Sequence, residues 1–447
     1  MSLPNRPSFQ SLVEFLNINS EVEFIRYQFL DIGNVLRLIT VTKSHALNLA
    51  EKPLKVSCLS LGCLPDDSIN ITRFQPAGYD EIYPDWKSLR LCVYVENGKT
   101  HASVMCFVKE MSRNFPAWKR DPRSILYETL NRAEELGFKF LIGFELEFHL
   151  TRIDGEKSIK QVSQFYGAAA LRDRATSRLI EECIRCLLNS GIEATHFHSE
   201  VGHGMFEIPT GPLRPIEAID TLVYCKEAIQ TISLKHGFKA TFFPKPVLSP
   251  SQTAVGAHVH FSIDYATQGV ADNFLAGILE NLPALCAFSM PNFDSYHRLG
   301  GHRGTIGTWV GWGEEDKDVA VRKISGRIGY WEIRCADQMA NMFYVLSAWI
   351  TAGTWGARNQ LPLKWKNPQS LVADMSPEEV AELNWDKKLP LSLIDAVAEL
   401  EKKKDSESLS KLGEEFLHMY IDFKKLEAKQ SAEKTEEERL DVLTTIF

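Results

Sequence analysis

Four short segments of this chain each place side chains of metal-ligand type on one face of a predicted strand. They read GFELEF (Glu145, Glu147), HSEVGHGMFEI (Glu200, Glu207), GAHVHFS (His258, His260) and YWEIRC (Glu332, Arg334). Successive side chains of a strand point to opposite faces, so Glu145 and Glu147 project together. The same holds for His258 and His260, and for Glu332 and Arg334. Leu146, Val259 and Ile333 between them suit a buried opposite face. Side by side, the segments put five carboxylates and two imidazoles on one concave surface. That charge density requires cations. Mostly hard oxygen donors with few imidazoles favour Mg²⁺ or Mn²⁺ over zinc. A single Glu-x-Glu pair is more often a solvated face than a metal site. Here Phe140, Leu141, Ile142, Phe144, Leu146 and Phe148 surround the charges, as in a central strand.

The elements that must position these groups divide the chain in two. Residues 1–112 read as a small, mostly antiparallel domain. A short helix (SLVEFLN) leads into a hairpin, VEFIRYQFL and VLRLITVT about a DIGN turn. A further strand, SLRLCVYVE, is expected to end at Asn97-Gly98 and return as HASVMCFV. The Pro- and Arg-rich stretch RNFPAWKRDPRS reads as a linker. Asp121 caps the next helix, Pro122 takes its first position and Gly137 stops it. Residues 113–447 then alternate helices with short strands, IEATHFH and KATFFP among them, before a helical C-terminal part. This is an α+β pattern with a large antiparallel sheet. MFYVLSAWITAGTWGA, with Ser347, Thr351 and two glycines, reads as a buried core helix rather than a membrane span. The charges of EEFLHMYIDFKKLEAKQ read as a solvated face.

Composition narrows the function. With 447 residues, 44% hydrophobic and 24% charged, the chain matches ordinary globular proteins. A net charge of −8 argues against a nucleic-acid surface. The N-terminus has no basic start followed by an apolar run, and the nine cysteines are scattered and odd in number. Both features predict reduced thiols and a cytoplasmic location. Cys183 and Cys186 form a C-x-x-C in mid-helix, which suits core packing better than redox chemistry.

The ordered set of segments resembles the glutamine synthetase family from about residue 115 to about residue 430, more thinly over the N-terminal domain. GFELEF, EVGHGMFEI, FFPKP with GAHVHFS, DSYHRL, AVRKI and WEIRCADQMAN keep that family's order and spacing. TWVGWGEEDKDVAVRKI is closest in character to divergent glutamine synthetase-like proteins of fungi. The resemblance implies an N-terminal β-grasp-like domain, a glutamine synthetase-type catalytic domain and a ring-shaped homo-oligomer. It implies ATP as co-substrate and two to three Mg²⁺ or Mn²⁺ ions. One ion would be held by Glu147, Glu200 and Glu207, another by Glu145, His258 and Glu332. His260 and Ser262 match nucleotide contacts. Arg322 matches the arginine that stabilises the transferring phosphoryl group, and Lys317 stands where an arginine of the phosphate site is usual. Arg298 and Arg334 match arginines that hold the substrate carboxylates. Thr253, Ala254 and Gly256 fall in the head-group segment. The implied reaction activates a carboxylate as an acyl phosphate, which an amine converts to an amide.

Several positions depart from the family pattern. The flap glutamate that serves ammonia-using members is Gly304, with His302 and Arg303 beside it. The head-group asparagine and glycine are Thr253 and Ala254, a glutamine is Met205, and an arginine two before the last metal glutamate is Tyr330. Asp66 and Asp67 are the candidates for an aspartate lent to a neighbouring subunit. These changes favour an amine larger than ammonia, a carboxylate other than plain glutamate, or both. Two other readings compete. One is a catalytically inactive relative that keeps the fold. The other is a zinc hydrolase built on His196-x-His198 and His258-x-His260. His203 reads as a turn residue, and Trp309, Trp312 and Trp331 read as packing.

Overall fold

The computed structural model describes residues 9–49, 52–68, 77–111, 119–153, 165–247, 254–264, 266–299 and 306–447. After the helix Phe9–Ile18, strands β1 (Phe24–Leu30) and β2 (Leu36–Thr42) pair antiparallel with Leu30 opposite Leu36. The expected hairpin forms because Asp31 organises its turn. Asp31 accepts from the Val35 N–H at 2.8 Å and from Arg37 Nε at 2.8 Å, and Asn34 takes the left-handed conformation at φ +68°. Strands β3 (Leu54–Ser57), β4 (Tyr79–Pro84), β5 (Arg90–Leu91) and β6 (His101–Lys109) complete a sheet of order β2-β1-β6-β4-β3, with β5 beside β6. The β1–β6 pair is parallel and the rest are antiparallel. The long strand expected over SLRLCVYVE is corrected. Only Arg90 and Leu91 pair, opposite Ser103 and Ala102. Beyond them Tyr94 packs edge-on against Tyr224 at 5.1 Å, and that packing overrides the β-propensity of the segment.

The second sheet carries the chemistry. Its strands are β7 (Phe140–Arg152), β8 (His198–Ser199), β9 (Met205–Pro209), β10 (Phe238–Thr241), β11 (Ala257–Ile263), β12 (Trp312–Glu314), β13 (Val321–Lys323) and β14 (Tyr330–Ile333). The order is β12-β13-β14-β11-β7-β9-β8, with β10 on the far end of β7. All pairs are antiparallel except β12–β13. The strand expected over IEATHFH reduces to a bridge between Ala194 and Thr210 and the two-residue β8. Its neighbour carries Pro209 and Pro212, which have no N–H to donate.

Helices Pro122–Glu135, Arg174–Asn189, Pro215–Lys235, Gln268–Ser289 and Met342–Arg358 surround this sheet. Asp121 caps the first of them, accepting from the Ser124 N–H at 3.0 Å, and Gly137 follows its end at φ +84°. Met342–Arg358 is buried along almost its whole length, as expected for a core helix. It crosses Gln268–Ser289 at Gly277 and Gly356, where an added Cβ on either would overlap the other helix's backbone. Phe140, Phe261, Phe274 and Trp331 fill the space beneath β7, β11 and β14. The helix Glu414–Ala432 exposes Glu414, Glu415, Lys425 and Lys429 as expected of a solvated face, but not all of its charges. Lys424 and Glu427 are buried and paired at 2.7 Å, with Asn292 donating to Glu427 at 3.1 Å. No helix among the described residues is long and apolar enough to cross a membrane. All nine cysteines are free thiols, and Cys183 and Cys186 lie buried in mid-helix.

Candidate active site

Register brings the four segments together. On one face of the sheet His258 stands opposite Glu145, Glu207 opposite Glu147, Glu332 opposite His260, and Arg322 opposite Glu332. The opposite face of β7 holds Phe144, Leu146 and Phe148, all buried, which fixes which face carries the charges.

Glu145 lies at the centre. Its carboxylate meets His258 Nδ1 at 2.7 Å and His260 Nε2 at 2.9 Å. Burial alone would raise its pKa, but the two imidazoles outweigh that and hold it well below the usual carboxylate range. His258 Nδ1 also lies 3.4 Å from Glu147 and 3.5 Å from Glu332. Burial and Arg334 oppose protonation of His258, yet Glu147 and Glu145 raise its pKa. Glu332, almost fully buried, is bonded by Arg334 and accepts from Arg322 Nη1 at 2.9 Å. Burial pushes its carboxyl up, and His258 and Arg334 bring it below its ordinary value. Glu147 accepts from the Gly256 N–H at 2.6 Å.

A second acidic group lies along β8 and β9. His198 Nε2 is 3.2 Å from Glu207, and its Nδ1 is 3.6 Å from Glu200. Burial and the nearby Glu147 push Glu200 up to about 7, and burial raises Glu207 despite His198. Carboxylates so crowded that they favour protonation form a donor set suited to a divalent cation, which would relieve the repulsion.

Among the described residues three sets of ligand atoms converge within 4.8 Å: Glu145, His258 and Glu332; Glu147, Glu207 and His258; and His198, Glu200 and Glu207. The trio of Glu145, His258 and Glu332 expected from sequence is therefore brought together. The trio of Glu147, Glu200 and Glu207 divides, Glu200 being joined to the others through Glu207 and His198. Each set has two carboxylates and one imidazole, an oxygen-rich composition that favours a hard cation over zinc. His196 is exposed and stacks on His198 at 5.8 Å instead of joining a set.

The remaining candidates lie around this centre. Arg298 is buried, bonds the Ala336 carbonyl and reaches the Arg334 carbonyl at 3.4 Å. Gly256 sits against it, and a Cβ there would lie 2.7 Å from Arg298 Nη2 and 3.1 Å from His258 Nε2. Arg322 spans Glu332 and Glu315. The Ser262 hydroxyl donates to the Leu141 carbonyl at 3.3 Å. Lys317 is exposed, with Nζ 5.6 Å from the Phe165 ring. Ala254 is half-buried, whereas Thr253, His302, Arg303 and Gly304 lie outside the described residues. The buried Met205 carbonyl accepts from the Glu200 N–H at 2.9 Å. Asp66 pairs with Lys434, and Asp67 with Arg37 at 2.7 Å. His203 is an exposed turn residue. Trp331 is buried, Trp312 donates to the Trp365 carbonyl at 2.9 Å, and Trp309 lies under Lys388.

Three contributors were not assigned to this oxygen-rich centre from sequence, His198 having entered only the zinc reading and Tyr330 only as a departure from the family. His198 had a signal in its same-face spacing to Glu200. Tyr330 had the same relation to Glu332; its hydroxyl lies 2.7 Å from His260 Nδ1. Gln338 had none. Its amide donates to the carbonyls of Glu145 and Gly256, both at 3.1 Å, tying β7 to the start of β11 beneath the acidic centre.

This sheet and its acidic face define a class. Residues 119–442 match the family described as glutamine synthetase, catalytic domain, and the chain belongs to that family. The chain is 30% identical over 438 residues to Protein fluG of Emericella nidulans, covering 96% of this chain and 49% of that protein. It thus spans about half of that relative's length. It is 28% identical to glutamate--isopropylamine ligase of Pseudomonas sp, covering 81% of this chain and 84% of that one. In three dimensions it matches a structure described as a GmaS/ADP complex with a TM-score of 0.80 at 22% identity, over 96% of this chain and 98% of that one.

Proposed function

We propose that the protein is an ATP-dependent carboxylate–amine ligase whose amine is larger than ammonia. The observation that carries this reading is the convergence of Glu145, His258 and Glu332 with Glu147 and Glu207, flanked by Arg298, Arg322 and Arg334. In the proposed reaction a carboxylate oxygen attacks the γ-phosphorus of ATP, and ADP leaves. The amine nitrogen then forms a bond to the acyl carbon, the carbon–oxygen bond to phosphate breaks, and phosphate departs.

Mg²⁺ or Mn²⁺ ions, two to three per site, would be held by Glu145, His258 and Glu332 and by Glu147, Glu200 and Glu207, with His198 beside the latter. Bound there, such ions neutralise charge on phosphate oxygens. Arg322, bonded to Glu332 and Glu315, would stabilise the transferring phosphoryl group. Arg298 and Arg334 supply fixed donors for an anionic carboxylate substrate. His260, steadied by Glu145 and Tyr330, and Ser262 lie along β11 for the nucleotide. Thr253, Ala254 and Gly256 would face the head group. Ring-shaped homo-oligomerisation and a domain boundary at residue 112 belong to the same proposal. The carboxylate is L-glutamate or a related acid, and the name of the isopropylamine ligase supports an alkylated amine.

The test is phosphate release from purified protein with ATP and Mg²⁺ across pairs of carboxylates and amines. Release that depends on one pair supports the ligase and names its substrates. A catalytically inactive relative is the second reading, favoured by Lys317 being exposed and by Tyr330 occupying His260. No release with any pair, together with no rise in Tm on adding Mg²⁺ and ATP, would favour it over the ligase.

A further inference from the structure

Gly256 lies one residue beyond the ladder that aligns the acidic centre. The pairing of β11 with β7 ends at Ala257 opposite Leu146. The Gly256 N–H goes to the Glu147 carboxylate at 2.6 Å, so Gly256 orients a candidate metal ligand from a position that this pairing does not hold. The turn after β14 holds it instead. Gln338 Nε2 donates to the Gly256 carbonyl and to the Glu145 carbonyl, both at 3.1 Å. One amide therefore spans the gap between the start of β11 and the middle of β7. The Gln338 backbone is anchored in turn. Its carbonyl accepts at 2.6 Å from Lys226 Nζ, on the helix Pro215–Lys235. Beside it the Ala336 carbonyl accepts from Arg298 and, at 3.0 Å, from the Ala257 N–H, and the Asp337 N–H donates to the Ser289 carbonyl at 3.0 Å.

Packing alone does not account for these residues. Gln338 is fully buried, and among the described residues its Oε1 meets no donor. A buried amide with an unpaired oxygen costs stability that a methionine of similar size would not. Lys226 brings a charge into the same place, close to Asp337. Stability given up directly beneath a site is the pattern expected where the geometry of that site is what the residues maintain.

Resting on the metal assignment of the ligase reading above, we propose that Gln338 and Lys226 are positioning residues. The Gln338 amide, anchored by Lys226, clamps Gly256 to β7 and so sets the Glu147 carboxylate for a divalent cation. Neither residue is itself a ligand; both act through Gly256 and Glu145.

The experiment titrates purified protein with Mn²⁺ alone, reads the free ion by electron paramagnetic resonance, and melts the same samples without metal. Gln338→Met keeps the volume and removes the donor. Its Kd for Mn²⁺ should rise by about tenfold, the lower end of what losing support for a metal ligand costs. Its metal-free Tm should stay within about 2 °C of wild type, because the two lost hydrogen bonds are offset by removal of the unpaired oxygen. Lys226→Met removes only the anchor and should raise the Kd by roughly threefold, since Gln338 keeps both of its bonds. A Gln338→Met variant with the wild-type Kd, whether or not its Tm falls, would overturn the positioning role and leave Gln338 as packing. If Gln338→Met loses its cooperative melt, Lys226→Met decides the matter, and an unchanged Kd there would overturn the proposal. Wild-type protein that takes up no Mn²⁺ would overturn the metal assignment, and the clamp with it.

Discussion

Gly256→Ala puts one methyl group at the point where the substrate and metal sides of the site meet. Gly256 has no positive φ, so alanine fits the backbone and the effect is purely steric. The new Cβ would lie 2.7 Å from Arg298 Nη2, 3.1 Å from His258 Nε2 and 3.3 Å from Glu147 Oε2. Ordinary contact begins near 3.5 Å, so the guanidinium must retreat by about 0.8 Å. It is poorly placed to do so, since Arg298 is buried and its nitrogens are held by the Ala336 and Arg334 carbonyls. Overpacking of this kind costs about 1–3 kcal/mol, or about 1–3 °C in Tm for a chain of this length. The catalytic effect should be larger, because misplacing a substrate-holding group by about 1 Å costs on the order of a hundredfold. Melts with and without Mg²⁺ and ATP, together with phosphate release at several substrate concentrations, separate the two. A variant with the wild-type Tm and unchanged kcat/KM would refute the packing argument and the placing of Arg298 beside the head-group segment.

Glu332→Ala leaves Arg322 and Arg334 without the carboxylate they share. Phosphate release should fall by on the order of a thousandfold with the circular dichroism unchanged. The same variant should lose the wild-type Tm rise on adding Mg²⁺ and ATP; unchanged turnover would remove the metal assignment. Lys226 is half-buried near Asp337 and donates to the Gln338 carbonyl at 2.6 Å. Burial, opposed by Asp337, lowers its pKa from 10.5 to about 7. Between those values the folded protein binds fewer protons than the unfolded chain, so wild-type stability should rise with pH. The slope is at most about 1.4 kcal/mol per pH unit, and Lys226→Met should lack it in urea melts at pH 7 and 9. Parallel pH dependence of the two proteins would contradict a depressed Lys226. Lys424→Ala leaves Glu427 buried without its cation and should cost about 3–5 kcal/mol, whereas Lys424→Met with Glu427→Gln should recover most of that. Equal destabilisation of the single and double variants would show that packing, not charge, dominates there.

The period of two in GFELEF, GAHVHFS and YWEIRC is a local property, because strand geometry alone sends Glu145 with Glu147 and His258 with His260 to a common face. Caps and turns are local in the same way. Asp121, Pro122 and Gly137 bound their helix, and Asp31 with Asn34 closes the first hairpin, from groups within a few residues of one another. The order of the metal segments likewise carried the family and the fold of the second sheet.

Tertiary structure decided what depends on neighbours distant in sequence. It divided the acidic residues among their partners, because His198 reaches Glu207 and Glu200 only once β8 lies beside β9. It placed the Gln338 amide on the Glu145 and Gly256 carbonyls, a contact between positions 193 and 82 residues apart that no pattern announces. It cut SLRLCVYVE short by burying Tyr94 against Tyr224. It also buried the Lys424–Glu427 pair in a helix whose charges read as solvated, since a charge pattern cannot reveal which helix face another element will cover. Periodicity gives the direction in which a side chain points; the partner it meets, and the charge state that follows, arise only when separate elements pack together.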